Sequence, residues 1–171
     1  MTRSSPTDED FAALVHACWP RLYRTAYLIL GNAAEAEDLV QTALARTFAN
    51  WHRVRSLDAA PAYARTTMMN VAASWFRKKG WRNERPTATL PETVVEGEDL
   101  TDRHLLREAL AVLPPRQRAM VVLRYYEDLS VAEVANTLGI TTGGVKSQTS
   151  AALRRLRAVL GDDLLPEKSQ S

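Results

Sequence analysis

The pattern that most constrains the fold of this chain lies in residues 130–157, where two short helical repeats are separated by a glycine. The apolar residues of the first repeat recur at the spacing of one buried helix face: Val131, Val134, Ala135 and Leu138. Gly139 follows at a place where a helix ends, because glycine readily takes a positive φ. Thr141 then offers a side-chain oxygen that can cap the helix behind it. The pattern predicts a helix-turn-helix.

The second helix of this pair is basic and carries little bulk at its start. Lys146, Ser147 and Ser150 lie within its first turns, and arginines follow further along. Gly143 and Gly144 stand in the first turn, although each glycine costs a helix about 1 kcal/mol relative to alanine. A helix start without bulk can approach DNA closely, with N–H groups free for phosphate and side chains in the major groove. The pattern therefore favours DNA reading over its alternative, an ordinary helical hairpin with a solvated basic face.

Composition argues against several classes of protein. The chain has 171 residues, of which 46% are hydrophobic and 25% charged, as is ordinary for a globular protein. No apolar run is long enough to span a membrane, and the polar start MTRSSPTDED is unlike a signal peptide, so we expect a cytoplasmic protein. The single cysteine, Cys18, excludes an internal disulfide, and the three histidines have no ligand spacing. We expect no metal, no cofactor and no small-molecule substrate.

Charge divides the chain into three parts. Residues 1–80 carry a net charge of +3, residues 81–104 a net charge of −3, and residues 105–171 a net charge of +2. The middle part also has two prolines, one glycine and no helical repeat, which is typical of a flexible linker. The sequence thus predicts an N-terminal module at 8–80 and a C-terminal module at 105–165, joined by an acidic linker at 81–104.

Both modules are predicted to be helical, and no stretch alternates convincingly with the period of a strand. In the N-terminal module, apolar repeats predict one helix up to Gly31, a second from Asn32 to about Trp51, and a third from Pro61. The second of these helices is expected to bury Leu39, Val40, Ala43, Leu44 and Phe48. In the C-terminal module, Pro114 and the proline after it start a helix ahead of the helix-turn-helix. The predicted fold class is all-α, with two small helical domains.

Several motifs taken together resemble one family. Residues 35–51, EAEDLVQTALARTFANW, and the helix AYARTTMMNVAASWFRKK resemble region 2 of bacterial sigma factors. Residues 107–157, with the motifs LPPRQR, LSVAEVANTLGI and GVKSQ, resemble region 4. Both regions in one short chain are the layout of the extracytoplasmic-function group, group 4 of the sigma-70 family. The phrase GGVKSQTSAALRRLR is most similar to its actinobacterial sigma-E-like subfamily. The resemblance implies a helical bundle for region 2 and a helix-turn-helix domain for region 4.

The resemblance implies a surface for core RNA polymerase on the second predicted helix. In the family, the helix with the AEDLVQ motif binds the clamp helices of the β′ subunit, which here assigns Glu37, Asp38, Leu39 and Gln41. The residues alone also allow a solvated helix start whose acids favour the helix dipole. A carboxylate metal site is the third alternative, but no histidine lies among these acids and no second acidic cluster is present to complete one.

The resemblance also implies that the N-terminal module reads the −10 promoter element as a single strand, with a flipped base. Polar edges and cations suit a base that has left the stack and its phosphates. The residues assigned to this contact are Arg53, Arg55, Ser56, Leu57, Asp58, Arg65, Asn70, Arg77 and Lys78. Tyr63 and Met69 depart from the family pattern, which often has tryptophan and a basic residue there.

In the C-terminal module, the resemblance implies that the second helix of the helix-turn-helix reads the −35 element in the major groove. The residues assigned to this contact are Arg116, Thr141, Thr142, Gly143, Lys146, Ser147, Ser150 and Arg154. Lys146 and Ser147 are expected nearest the base edges, whereas Arg116, Arg118 and Arg124 are candidates for phosphate. Gly144 stands where many relatives have threonine.

The sequence thus predicts a sigma factor that directs promoter-specific initiation and is not itself an enzyme. The expected partners are core RNA polymerase, through its β and β′ subunits, and promoter DNA, while an anti-sigma factor is left open. No membrane partner is expected. The alternative is a stand-alone helix-turn-helix regulator that binds an operator without core polymerase. An enzyme acting on nucleic acid is more remote, because no acid pair, nucleophile–base pair or metal cluster is present.

Overall fold

The structure is a computed structural model that describes residues 6–79 and 100–161. In the N-terminal module the helices are α1 (Asp8–Leu30), α2 (Ala33–Ala49) and α3 (Ala60–Lys79), with short 3₁₀ turns at Trp51–Arg53 and Leu57–Ala59. In the C-terminal module they are α4 (Leu100–Ala111), α5 (Pro115–Val121), α6 (Val131–Leu138) and α7 (Thr142–Leu160), and a π-helical turn, Val122–Tyr126, continues α5. No strand occurs within these two described ranges, which confirms the all-α prediction.

Local hydrogen bonds explain where the helices begin and end. Thr7 and Asp10 form a capping box at the start of α1, and Asn32 Oδ1 accepts the backbone N–H of Glu35 at 3.0 Å at the start of α2. Gly31 and Gly139 take left-handed φ values of 69° and 68° at the ends of α1 and α6. The stops predicted at these glycines and the cap predicted at Asn32 are confirmed.

The two modules pack against each other and share one apolar core. Helices α1, α2 and α3 pack together, and α7 packs on α5 and α6. Between the modules, α1 contacts α5 and the π-helical turn, and α3 contacts α6. The shared apolar cluster includes Ile29, Leu39 and Met68 from the N-terminal module, and Met120 and Val134 from the C-terminal module. The predicted modules therefore have a direct interface as well as a connecting segment.

Two expectations need correction. Phe48 is 49% exposed, because it lies at the edge of the buried face of α2. Its ring contacts the ring of Phe11, with 4.8 Å between the two centroids. Helix α4 begins at Leu100, so the last five residues of the predicted linker are helical. Residues 80–99, which include the rest of that linker, lie outside the described residues.

Candidate nucleic-acid interface

Helix α7 presents one polar and basic face to solvent. Its inward side is set by Val145, Ala152 and Leu156, which are all at most 4% exposed. All the α7 residues predicted for the −35 contact are exposed: Thr142, Gly143, Lys146, Ser147, Ser150 and Arg154, together with the cap Thr141. Because these positions follow one another at three- and four-residue steps, they form a continuous strip of the helix surface. The strip formed by these seven exposed residues is called the α7 face below.

The start of α7 is held by its cap and by two glycines with different surroundings. Thr141 Oγ1 accepts the backbone N–H of Gly144 at 3.0 Å, which confirms the predicted N-cap. A Cβ atom added at Gly144 would lie 3.2 Å from that oxygen, so packing inside the chain favours glycine there. A Cβ atom at Gly143 would meet nothing closer than 4.0 Å. No close contact within the described part of the chain therefore requires a glycine at position 143.

The three arginines considered for phosphate contact differ in their surroundings. Arg118 is 3% exposed, and its guanidinium donates to the carbonyls of Leu110 and Leu113 at 3.0 and 3.1 Å. It closes the carboxyl end of α4, whose last carbonyls lack partners within the helix, so its assignment to phosphate is wrong. Arg124 is half-buried and donates to the carbonyl of Leu129 at 2.6 Å. Arg116 is half-buried, and its contact with phosphate stays a prediction.

The loop between α2 and α3 combines buried apolar residues, which anchor it, with exposed side chains that are mostly polar. Trp51 and Val54 are 6% and 5% exposed and pack with Leu14 and Ala60 in a second apolar cluster. The indole Nε1 of Trp51 also donates to the carbonyl of Thr7 at 3.0 Å, which ties the loop to the start of α1. The side chains between and after these anchors are exposed: His52, Arg53, Arg55, Ser56, Leu57 and Asp58. This anchoring was not predicted from the sequence, although two apolar residues in a basic loop were a usable signal.

Helix α3 carries the remaining residues predicted for the −10 element. Asn70, Arg77 and Lys78 are exposed, which suits a contact role. Arg65 is different, since its side chain is only 33% exposed and its Nη1 lies 3.5 Å from Oε2 of Glu127 in the C-terminal module. Met69, one of the departures from the family pattern, is 2% exposed and belongs to the core.

The acidic start of α2 offers part of the predicted polymerase surface. Glu37, Asp38 and Gln41 are exposed, and Gln41 Nε2 donates to Glu37 Oε1 at 3.2 Å. Leu39 is fully buried with Val40 in the core, so its assignment to a docking surface is corrected. Leu39 packs α2 against the core, while Glu37, Asp38 and Gln41 lie on the exposed side of the same helix.

The described residues show no metal-binding constellation. Within residues 6–79 and 100–161, no group of three or more histidine, cysteine or carboxylate side chains is placed to hold a metal ion. Burial raises the pKa of the Cys18 thiol above its ordinary value, which leaves it a poor nucleophile. No helix in this part of the chain is long and apolar enough to cross a membrane.

A capped helix-turn-helix with an exposed basic face, joined to a helical module with an anchored basic loop, is typical of DNA-binding transcription proteins. Comparison with known families identifies the class further. The family model "Sigma-70 region 2" matches residues 14–82, and "Sigma-70, region 4" matches residues 109–158. The chain belongs to the sigma-70 family, within its extracytoplasmic-function group and among its actinobacterial sigma-E-like members.

Individual relatives agree with this placement. The chain is 40% identical over 153 residues to the RNA polymerase sigma-E factor of Streptomyces coelicolor, which covers 88% of this chain and 86% of that protein. It is 34% identical over 173 residues to the ECF RNA polymerase sigma factor SigL of Mycobacterium tuberculosis, covering 94% and 96% of the two chains. Among solved structures, it matches the sigma factor RpoE of Bartonella quintana, in complex with the anti-sigma factor NepR. That match has a TM-score of 0.65 and 25% identity, over 91% of this chain and 99% of that one.

Proposed function

We propose that this sigma factor gives core RNA polymerase its promoter specificity through two DNA-facing surfaces, the α7 face and the exposed loop 52–58. The observation that carries the proposal is that both surfaces are polar and exposed while the residues beneath them are buried. Trp51 and Val54 anchor the loop, and Val145 and Ala152 anchor α7. Preorganised surfaces of this kind bind without first ordering their backbone, which favours specific recognition.

For the −35 element, the α7 face supports entry into the major groove. Lys146 and Ser147 lie about one turn into α7 and supply the donors that read base edges, with Ser150 and Arg154 following along the groove. Thr141, Thr142 and Gly143 surround the helix N-terminus, where free N–H groups and the helix dipole favour a phosphate. Arg116 adds a phosphate contact from outside the recognition helix, which orients the module without reading sequence.

For the −10 element, the anchored loop and the exposed side of α3 supply both kinds of group that single-stranded DNA requires. Arg53, Arg55, Arg77 and Lys78 provide cations for the backbone. Ser56, Asp58 and Asn70 provide polar edges for an unstacked base, and Leu57, 50% exposed, provides an apolar surface beside it. Arg65 joins this set once its contact with Glu127 is released.

The partners follow from the family and from the charge of the surfaces. Core polymerase is proposed to bind the exposed Glu37, Asp38 and Gln41 of α2 through its β′ subunit, with the β subunit as a further contact. An anti-sigma factor is proposed as an inhibitor, because the RpoE relative forms a complex with one. We place the protein in the cytoplasm, acting as a specificity subunit without catalysis of its own. A stand-alone regulator is the weaker alternative, since it leaves the whole region 2 module without a role.

The polymerase surface is tested with the double variant Asp38→Arg, Gln41→Ala. Both side chains are exposed, so the fold should persist. Binding to core polymerase should weaken by about tenfold, or about 1.4 kcal/mol, because charges at an interface tune association. Glu9→Arg, which reverses an exposed carboxylate on α1, is the control and should bind as the parent does. Unchanged core affinity in a folded double variant would move the docking surface elsewhere.

A further inference from the structure

We propose that Glu127 is a latch that holds the free chain closed, and that this latch must open before the chain can read both promoter elements. The second half of this statement rests on the proposed function. Glu127 belongs to the C-terminal module, at the end of the π-helical turn that follows α5. Its carboxylate is bound by side chains of the N-terminal module, which makes it a polar fastening between the two modules.

Three groups of the N-terminal module meet this carboxylate. Thr25 Oγ1 donates to Oε1 of Glu127 at 2.5 Å, while Arg65 Nη1 and Arg21 Nη2 lie 3.5 and 3.7 Å from Oε2. The side chain of Glu127 is 1% exposed, and Thr25 is fully buried. A carboxylate removed from water in this way is tolerable only because donors and cations from the other module replace its hydration.

The latch is suited to opening as well as to closing. A buried ion pair adds little net stability, because the loss of hydration offsets most of the attraction between the charges. When the modules separate, Glu127, Thr25 and Arg65 would all regain water together. Removal of one partner in the closed state is different, since it leaves another partner buried and unsatisfied. The cluster therefore fixes how the modules meet without binding them irreversibly.

Closure also occupies residues that the N-terminal module needs for DNA. Arg65 lies against Glu127. The pKa of Glu133 on α6 is held below its ordinary value mainly by the hydrogen bonds with Ser130, and the charge of Arg65 adds a smaller lowering effect. Arg77 is close to the helix-turn-helix, since a methyl group added at Gly139 would lie 3.6 Å from its Nη1. In the closed chain, cations assigned to the −10 strand thus face the C-terminal module.

The dimensions of the closed chain make opening necessary. A compact chain of 171 residues has a radius of gyration of about 16 Å and a diameter of about 40 Å. The −10 and −35 elements are about 25 base pairs apart, which at about 3.4 Å per base pair is about 85 Å of straight duplex. The closed chain cannot span that distance, so reading both elements requires the contact at Glu127 to break.

The test measures a distance between the modules in the free chain. Cysteines introduced at the exposed positions Ala45 and Ala158, with Cys18 replaced by serine, carry spin labels for pulsed electron paramagnetic resonance. Glu127→Gln removes the charge and Thr25→Val removes the hydroxyl with little change of shape. Asp128→Asn changes the exposed neighbouring carboxylate and keeps a residue that tolerates its φ of 56°. Circular dichroism establishes that each variant is folded.

The proposal predicts one narrow distance for the parent chain and for Asp128→Asn. Glu127→Gln and Thr25→Val should raise the ratio of long, broadly distributed distances to the short one by roughly ten- to hundredfold, as for loss of a hydrogen bond to a buried charged group. A broad distribution in the parent chain, or parent-like distances in either folded latch variant, would overturn it. The measurement needs neither polymerase nor DNA, so its failure would leave the proposed function to be judged by the binding experiments.

Discussion

Thr141 and Gly144 form the contact that starts the recognition helix: Thr141 Oγ1 accepts the backbone N–H of Gly144 at 3.0 Å. The same oxygen would lie 3.2 Å from a Cβ atom at position 144, so the cap itself leaves little room for a side chain. The neighbouring Gly143 has open space at the same point. The two adjacent glycines therefore differ in their surroundings, and their alanine variants should behave differently.

Gly143→Ala should stabilise the free chain and weaken its binding to −35 DNA. The φ of Gly143 is not in the positive region, so alanine fits and should add about 0.4–1 kcal/mol to the free energy of unfolding. The added methyl group would nevertheless stand between α7 and a phosphate. Gly144→Ala is the comparison, and crowding of the Thr141 oxygen should make it less stable than Gly143→Ala. Urea unfolding and −35 binding of the holoenzyme measure both effects, and full affinity in Gly143→Ala would contradict the proposed approach to DNA.

Lys146→Ala should relax discrimination at one or two base pairs of the −35 element and cost about 1–3 kcal/mol of binding to the preferred site. Arg116→Ala should instead weaken binding to all sequences about equally and lower the salt slope by about one charge. Arg155→Ala is the control. Arg155 lies nine residues after Lys146, which is two and a half helical turns, so its exposed side chain is on the opposite side of α7. Transcription from promoter mutants and salt-titrated binding distinguish these effects. A changed base preference in Arg116→Ala, with Lys146→Ala unaffected, would show that α7 is oriented differently.

Trp51→Phe should loosen the loop assigned to the −10 element without unfolding the module. The variant keeps most of the apolar contact with Leu14 and Val54 but loses the hydrogen bond from Nε1 to the carbonyl of Thr7. We expect a loss of about 0.5–1.5 kcal/mol in the free energy of unfolding. Amide hydrogen exchange in residues 52–59 should speed up more than exchange in α2. Equal acceleration throughout the module would mean that Trp51 supports the core in general and not the loop.

The charge of Glu133 should stabilise the helix-turn-helix at neutral pH and cease to do so in acid. The pKa of Glu133 is lowered mainly by the backbone N–H of Ser130, whose distance to Oε2 is 2.7 Å, and next by the Ser130 side chain. Because the folded-state pKa lies below the ordinary 4.5, the contribution is present above pH 4.5 and disappears as pH falls through the folded value. The stability gap between the parent and Glu133→Gln should therefore be present above pH 4.5 and close as the pH falls through the lower folded-state pKa. A gap that stayed constant with pH would assign the effect to shape and not to charge.

Sequence periodicity was sufficient for the local features of this fold. The cap at Thr141, the stop at Gly139 and the outward position of Lys146 each depend on residues within a few positions of one another. Helical spacing also held the information that Leu39 is buried, since it lies three residues after the buried Ala36 and four before the buried Ala43. That spacing predicted the burial correctly, while the resemblance to the polymerase-binding motif separately assigned the same residue to a docking surface.

Long-range contacts were out of reach from the sequence. The burial of Glu127 depends on Thr25, 102 residues away, and a lone glutamate after a helix gives no signal of such a partner. The Trp51 anchor depends likewise on the carbonyl of Thr7, 44 residues earlier. In the sequence, Arg118 is one more cation near the predicted DNA surface. In the structure, its guanidinium donates to the carbonyls of Leu110 and Leu113. In each case a polar group is satisfied by backbone or side chains that only the tertiary structure brings near.

Reconstituted transcription tests the central claim most directly. Core RNA polymerase would be mixed with the full chain and supplied with templates whose −10 and −35 elements are randomised, and the initiated transcripts would be sequenced. The account predicts initiation that depends on the chain, at templates enriched for one −10 and one −35 sequence, with Lys146→Ala altering only the −35 preference. Binding of duplex DNA by the chain alone, with no chain-dependent initiation by core polymerase, would contradict the account and favour a stand-alone regulator.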